Sequence, residues 1–522
     1  MMPIPKTDPD SEEAKESIHM QNKTYDKEAW LRHIDEGIAC GPFQPVWESL
    51  TKFKVPDWYG KCKFGIFIHW GLYSVPAFNN EWYSRNMYIQ GTPEFEHHVK
   101  TFGPQKEFGY KDFIPLLTAE RFDPSEWIEA FSRAGARYIV PVAEHHDGFQ
   151  MYASDLSCWN AAEMGPKRDI LGELSSAARE KGMHFGTSSH RAEHWWFMGH
   201  GKEFDSDVKD PMELGDFYWP AMPERDNFDM ESEPSPTEEY LTDWLIRTVE
   251  LVDRYKPELL YFDWWIQHKA FEPYLKRFLA YYYNQAEKEG RSAAVCYKHD
   301  ALAFGSGIVE VERGAFPDSK PFPWQTDTAV AWNSWCYTDS LDYKSSKVII
   351  GTLINSVSRN GNLLLNIGPK ADGTLPEGDR KILRELADWM EINHEAIYDS
   401  CPWRSSKEGP LTEKLGSFSE EAREYTEEDF RFTVTDGKLN IFVMKYPKSG
   451  SVRIRSLSKK GNADSIAFLG HIKNVRLLGS ELPQEYKRED EYLEVKLLPG
   501  DSPKLKYLID MDLPVVIRIE TR

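Results

Sequence analysis

Three stretches hold residues able to do chemistry. PELLYFDWWIQHK begins at Pro257 and sets Asp263 between a Leu-Leu-Tyr-Phe run and two tryptophans. A carboxylate there either caps the next element or is carried by a barrel strand to its rim, where the preceding residues support it rigidly. At a rim it could trap an oxocarbenium-like centre as an ester, which requires a second carboxyl group nearby. GIVEVERG (307–314) supplies two candidates, Glu310 and Glu312. In an extended strand residues two apart point the same way, so only curvature or a strand end would separate their roles. The alternative for this pair is an ion pair with Arg313 or a neighbouring lysine. EHHDGF (144–149) sets His145 beside His146, and both can enter one site only where the strand has become a loop. With His69 and an aspartate they have metal-ligand types, but they lack the one-turn spacing of HExxH. Imidazoles that donate and accept to sugar hydroxyls are the preferred reading.

Supporting groups lie elsewhere. NEWYSRNMY (80–88) places Glu81 next to Trp82, a pair suited to one hydroxyl and one apolar ring face. The same residues would suit a salt bridge to Arg85 under a tryptophan. WQTDT (324–328), with Trp324, is ambiguous in the same way, and HWG (69–71) and HWW (194–196) could be an aromatic rim or packing.

The chain is long enough for a large catalytic-type domain and a smaller one. Its 522 residues carry 84 acidic against 63 basic side chains, a formal charge of −21. That balance repels nucleic-acid phosphates and anionic membranes, and no run of 18 apolar residues predicts a bilayer span. Neither nucleic acid nor membrane is an expected partner. The six cysteines form no CxxC pair, against a zinc or redox motif or a disulfide-built fold. The first twenty residues are polar and have no signal-peptide core. As written the chain is cytoplasmic, or secreted or periplasmic if a signal has been removed.

Apolar runs alternate with helical patterns. The runs are 63–70, 137–148, 183–190, 257–265, 292–300, 307–314 and 361–369; the helical stretches include 123–135, 169–182, 236–255 and 272–290. Recurring strand, helix, strand predicts parallel strands with crossover helices. An open sheet also fits, but no glycine-rich phosphate fingerprint follows the first strand. Polar residues gather at strand ends: His69, His145, His146, His190, Asp263, Lys298 and Glu312. In a (β/α)8-like barrel those ends converge on one mouth. After the helix at 379–398 the texture becomes short β-rich runs, with Asp436-Gly437 as a tight hairpin turn. The expected organisation is an N-terminal arm at 1–50 with a short helix around 27–36, a barrel at 51–403 and an all-β sandwich at 404–522. The acidic, proline-containing stretch 201–235 is a long excursion on the mouth side, a lid or subsite wall or a solvated loop.

Taken together, KFGIFIHWGLYSVPAFNNEWY, ARYIVPVAEHHDGFQMYAS, PELLYFD, WQTDTAVAWNSWCY and SRNGNLLLNIGPKADGTLPEGDRKIL resemble glycoside hydrolase family 29, the α-L-fucosidases. The resemblance runs in order from about residue 45 to 403. It implies a barrel, exo-acting hydrolysis with retention, a fucosylated oligosaccharide or glycoconjugate as substrate, and no metal or organic cofactor. It implies Asp263 as nucleophile and Glu312 as acid/base, with Glu310 the alternative. His69, Glu81, Trp82, His145 and His146 match the fucose-binding set. Ser188, Ser189 or His190 must replace a tyrosine-rich segment, with His190 the best fit. Lys298 stands near a usual arginine, Gln325 where many relatives have glutamate, and Trp324 joins the substrate-binding candidates. The rivals are a retaining exo-glycosidase for another sugar, such as a galactoside, a non-catalytic carbohydrate-binding protein, and a metallohydrolase. Oligomeric state is not legible.

Overall fold

The computed structural model describes residues 22–461 and 466–521, so the first twenty-one residues of the expected arm lie outside it. Eight strands run in parallel: β1 (Phe64–Ile68), β2 (Tyr138–Glu144), β3 (His184–Ser189), β4 (Leu259–Phe262), β5 (Val295–Tyr297), β6 (Ile308–Val309), β7 (Trp324–Ala329) and β8 (Gly361–Ile367). Their order is β6-β5-β4-β3-β2-β1-β8-β7. Seven correspond to the apolar runs; β7 is the strand hidden in WQTDTA. The sheet is brought round to a near-closed barrel by residues just past β6. Glu310 bridges Gln325, Val311 N–H donates to the Gln325 carbonyl at 2.9 Å, and Arg313 N–H to that of Asp327 at 3.0 Å.

Alternation along the strands divides the core. Phe67, Val140, Val142, Tyr261, Cys296, Ile308 and Leu364 pack together in one cluster. Their neighbours Ile66, Ile139, Leu260, Phe262, Val295 and Leu365 belong to the larger cluster that includes the helices. The helices start where side chains can satisfy their free N–H groups. Asp123 caps Pro124–Arg133, Asp169 caps Ile170–Glu180, and Thr237 caps Glu238–Tyr255. The N-terminal helix, Lys27–Ala39, lies against Glu272–Glu289, where Asn284 Nδ2 donates to the Ile38 carbonyl at 2.9 Å. Among the described residues no helix is long and apolar enough to cross a membrane. All six cysteines are unpaired.

Beyond the barrel two antiparallel sheets form the sandwich. One joins β9 (Cys401–Glu408), β10 (Phe430–Thr435), β11 (Lys438–Val443), β13 (Ile472–Leu477) and β16 (Val515–Thr521); the other joins β12 (Ser451–Ile454), β14 (Glu485–Arg488) and β15 (Leu493–Lys496). Asp436 and Gly437, both at positive φ, turn β10 into β11 with Thr435 opposite Lys438. The sandwich is not wholly β. Ser502 and Pro503 start a helix, Pro503–Asp510, which buries Leu505 and Leu508.

A buried ion cluster ties the two layers. Glu413 accepts from Arg359, which follows the barrel helix Ser346–Ser358, and from Arg431 on β10 at 2.8 Å, with Lys407 at 3.2 Å. Burial would raise the Glu413 carboxyl, but Arg431, Arg359, Arg423 and Lys407 outweigh it and hold it down to about 2. Its folded-state pKa lies below the unfolded value, so this stabilisation is complete above the ordinary carboxylate range and is lost as pH falls towards 2. Glu413→Ala, which leaves two arginines buried without their partner, is expected to cost about 3–5 kcal/mol of stability at neutral pH. An unchanged denaturation midpoint would show that the cluster does not hold the layers together.

Candidate active site

The barrel alternation continues past the strand ends and delivers the polar groups. Two residues beyond Phe67 is His69, beyond Tyr261 is Asp263, beyond Cys296 is Lys298, and beyond Leu364 is Asn366. Each inner position thus ends in a polar side chain at the C-terminal mouth. A cavity of about 480 Å³ opens there, lined by His69, Glu81, Trp82, His145, His146, His190, Asp263, Lys298 and Glu312 among others.

Lys298 lines it between two carboxyls. The ammonium donates to Asp263 Oδ1 at 2.7 Å and to Glu312 Oε2 at 2.6 Å. The two oxygens can therefore be no more than about 5.3 Å apart, below the roughly 6.5–9.5 Å of an inverting pair. The carboxyls are pushed in opposite directions. Burial would raise Asp263, but Lys298, His190 and His146 prevail and hold it well below the usual carboxylate range. Burial raises Glu312 to about 7, with Asp327 and Asp263 adding repulsion and Lys298 opposing. One carboxyl is kept ionised while the other holds its proton up to about pH 7, a divergence of the kind that separates acid from base in a carboxyl pair.

Glu310 and Glu312 share a strand phase but not a layer. β6 ends at Val309, and Glu310 sits below the cavity, its Oε1 accepting from Asp327 N–H at 3.0 Å. Glu312 reaches the cavity; Glu310 does not line it.

Histidines line the opposite wall. After β2 the chain turns at Gly148, where φ is +81° and an added Cβ would lie 2.7 Å from the His194 ring; this turn lets both His145 and His146 face inward. His146 Nδ1–H donates to the His190 carbonyl at 3.0 Å, and its Nε2 lies 3.4 Å from Asp263 Oδ2. His190 Nδ1–H donates to Asp263 Oδ2 at 2.9 Å, while its Nε2 accepts from Ser188 Oγ at 3.0 Å. Asn366 Oδ1 accepts from the His69 Nδ1–H at 2.6 Å. Burial drives His69 and His145 well below the usual imidazole range and His146 down to about 3. These three rings are therefore neutral and able both to donate and to accept, and the buried His145 Nδ1 has no protein partner. His69, His145 and His190 also bring ligand-type atoms within 4.8 Å of one another, as do His146, His190 and Asp263. Those are the sets with the donor chemistry for a metal.

Glu81 does not pair with Arg85. It accepts from Trp335 N–H at 3.0 Å, and Arg85 turns instead to Glu224 of the 201–235 excursion, Nε to Oε2 at 2.7 Å. Trp82 packs against the rings of His146 and Phe197. Trp324 corrects the sequence reading: it opens β7 at the opposite end of the barrel, is fully buried, and gives its indole N–H to the Arg359 carbonyl at 3.0 Å. Gln325 is likewise internal, accepting from Tyr59 and Tyr138. Trp70, Trp195 and Trp196 are packing residues. Of the pair after Asp263, Trp264 lines the mouth and Trp265 is buried. The sequence reading missed Trp335, Asp327, His299, Phe228 and Phe418, all of which line the cavity. Trp335 stands near His69, ring centres 5.3 Å apart, and its only sequence signal is the repeated tryptophan of WNSW.

Comparison with known proteins agrees with this geometry. The family model described as alpha-L-fucosidase matches residues 31–395. The chain is 32% identical to human plasma alpha-L-fucosidase over 382 residues, covering 70% of this chain and 74% of that protein. It is 30% identical to rat tissue alpha-L-fucosidase over 443 residues, covering 83% and 86%. The crystal structure of the Thermotoga maritima alpha-fucosidase superposes with a TM-score of 0.70 at 28% identity, covering 92% of this chain and 100% of that one; its complex with fucose gives the same values.

If Lys298 sets the two protonation states, its removal must move Glu312. In difference infrared spectra, the carboxyl band that disappears in Glu312→Gln is expected to titrate near pH 7 in the unaltered protein. In Lys298→Met it is expected to titrate at clearly higher pH, because the attraction that opposes protonation is gone. An unmoved midpoint would remove Lys298 from control of the pair.

Proposed function

Because this chain belongs to the α-L-fucosidase family, we propose that Asp263 and Glu312 are its nucleophile and acid/base. The activity is retaining, exo-acting hydrolysis of terminal α-L-fucosyl residues. The observation that carries the assignment is the single ammonium of Lys298 held between the two carboxyls.

In the first step an Asp263 oxygen attacks the anomeric carbon as the glycosidic C–O bond breaks. The leaving oxygen takes the bond pair and the Glu312 proton, leaving a fucosyl ester on Asp263. Asp263 then carries no charge, so Lys298 is left facing Glu312 alone and favours its carboxylate form. Glu312 can now take a proton from water, whose oxygen attacks the same carbon, and the ester bond breaks to return Asp263 as carboxylate. Two inversions give net retention. His69, His145, His146 and Glu81 hold the ring hydroxyls, with Trp82 and Trp335 against its apolar parts. His190 orients Asp263 through its 2.9 Å bond. No metal is needed for either step.

Glycosylation needs Glu312 protonated, so kcat/KM on methyl α-L-fucoside is expected to fall as pH rises through about 7. Glu312→Ala should lose roughly 10²–10⁴ on that substrate, less on an aryl fucoside whose leaving group needs little acid, and regain aryl turnover with azide. Rescue of Glu310→Ala but not Glu312→Ala would reverse the assignment. Faster cleavage of an aryl β-D-galactoside than of the aryl α-L-fucoside would refute the sugar preference.

A further inference from the structure

We propose that the mouth carries a leaving-group subsite built on Phe418, from the β9–β10 connection, together with Phe228 and Trp264, which line the same cavity. It takes the pyranose next to the fucosyl residue by that sugar's apolar face. The subsite rests on the catalytic reading of Asp263 and Glu312.

Most large aromatic residues here are buried, yet Phe418 is 66% exposed and Phe228 79% exposed. Both line the same cavity as the carboxyls. They come from unrelated parts of the chain, Phe228 from the 201–235 excursion and Phe418 from the connection between sandwich strands β9 and β10. Phe228 lies against Trp264, ring centres 5.8 Å apart.

The backbone that carries Phe418 is held in place. Its backbone N–H donates to the Glu312 carbonyl at 2.8 Å, Glu420 N–H to the Arg313 carbonyl at 2.9 Å, and Gly416 N–H to the Ala315 carbonyl at 3.0 Å. Glu420 is in turn held by Lys344 at 2.6 Å and by Thr328 at 2.8 Å. The approach is so close that a Cβ on Gly314 would lie 1.8 Å from the Gly416 carbonyl oxygen. Phe418 itself adopts a φ of +55°, a conformation that costs a bulky residue energy and that persists where the surroundings impose it.

Position identifies the occupant. The group that leaves with its oxygen on Glu312 must extend past Glu312, and the residue hydrogen-bonded to the backbone of Glu312 is Phe418. Phenyl and indole faces at that place match the C–H face of a pyranose.

The test compares two substrates that both need acid assistance: an α-L-fucosyl disaccharide whose second sugar is a pyranose, and methyl α-L-fucoside, which has no second ring. In Phe418→Ala and in Phe228→Ala the ratio of kcat/KM for disaccharide over methyl fucoside is expected to fall about tenfold, mainly through KM, the worth of one aromatic contact. Phe418→Trp is expected to keep the ratio. Equal losses on both substrates would mean that Phe418 acts by placing Glu312 and would overturn the subsite, as would an unchanged ratio in both alanine variants. Failure of the unaltered protein to cleave either fucoside would overturn the catalytic reading and the subsite with it.

Discussion

The structure depends on one buried ammonium. Two carboxyls within one contact of Lys298 could not both stay ionised in a desolvated mouth without it, and with a single cation they divide unequally. Asp263 receives Lys298 on one oxygen and His190 on the other. Glu312 has Lys298 but also faces the charges of Asp327 and Asp263. The asymmetry of neighbours, rather than any difference between Asp and Glu, is what suits one to the proposed part of nucleophile and the other to that of acid. A lysine suits this place because its compact charge can serve two oxygens that need not lie in one plane, whereas an arginine fork would favour one carboxylate.

Holding Glu312 to that ammonium is a backbone problem, because β6 is only two residues long and lies next to the seam where the barrel closes. Past Val309 the chain is secured from three sides: by β5 through the Glu310 N–H to Tyr297 carbonyl bond, by β7 through Val311 and Arg313, and by the post-barrel segment through Phe418 and Glu420. The sandwich therefore helps to hold the backbone that carries Glu312. The Glu413 cluster binds β10 to a barrel helix, and a few residues later the same connecting segment reaches over the seam at Phe418. Strain or movement in that segment would be felt at Glu312.

Much of the site was legible because strand alternation is a local code. Asp263, His69 and Lys298 each stand two residues beyond an inner core residue, so a reader who knows the strand phase knows which polar residue faces the mouth. Trp324 shows where that code fails. It has the right composition, but it opens its strand instead of closing it, and WQTDTA is too polar for its bounds to be seen without the neighbouring strands. Gln325 and Asp327 share an inward phase, yet only Asp327 lines the cavity. Phe228, Trp335 and Phe418 were invisible for another reason: they reach the mouth through long-range folding of irregular segments, where no periodicity applies.

Glu310 shows why a displaced pKa alone does not make an acid. Burial and Asp327 keep its proton on well above the usual carboxylate range. But one layer down an extended strand is roughly 6.6 Å, and there its Oε1 is occupied by the Asp327 N–H while its Oε2 is buried without a partner. A proton so placed is not at the cavity where a glycosidic oxygen would lie. What a neutral Glu310 does provide is the absence of another negative charge beneath a cation already shared by the Asp263 carboxylate and the Glu312 carboxyl. If it ionised, the attraction of Lys298 would be divided further, Glu312 would be harder to deprotonate, and the second half of the double displacement would lose its base.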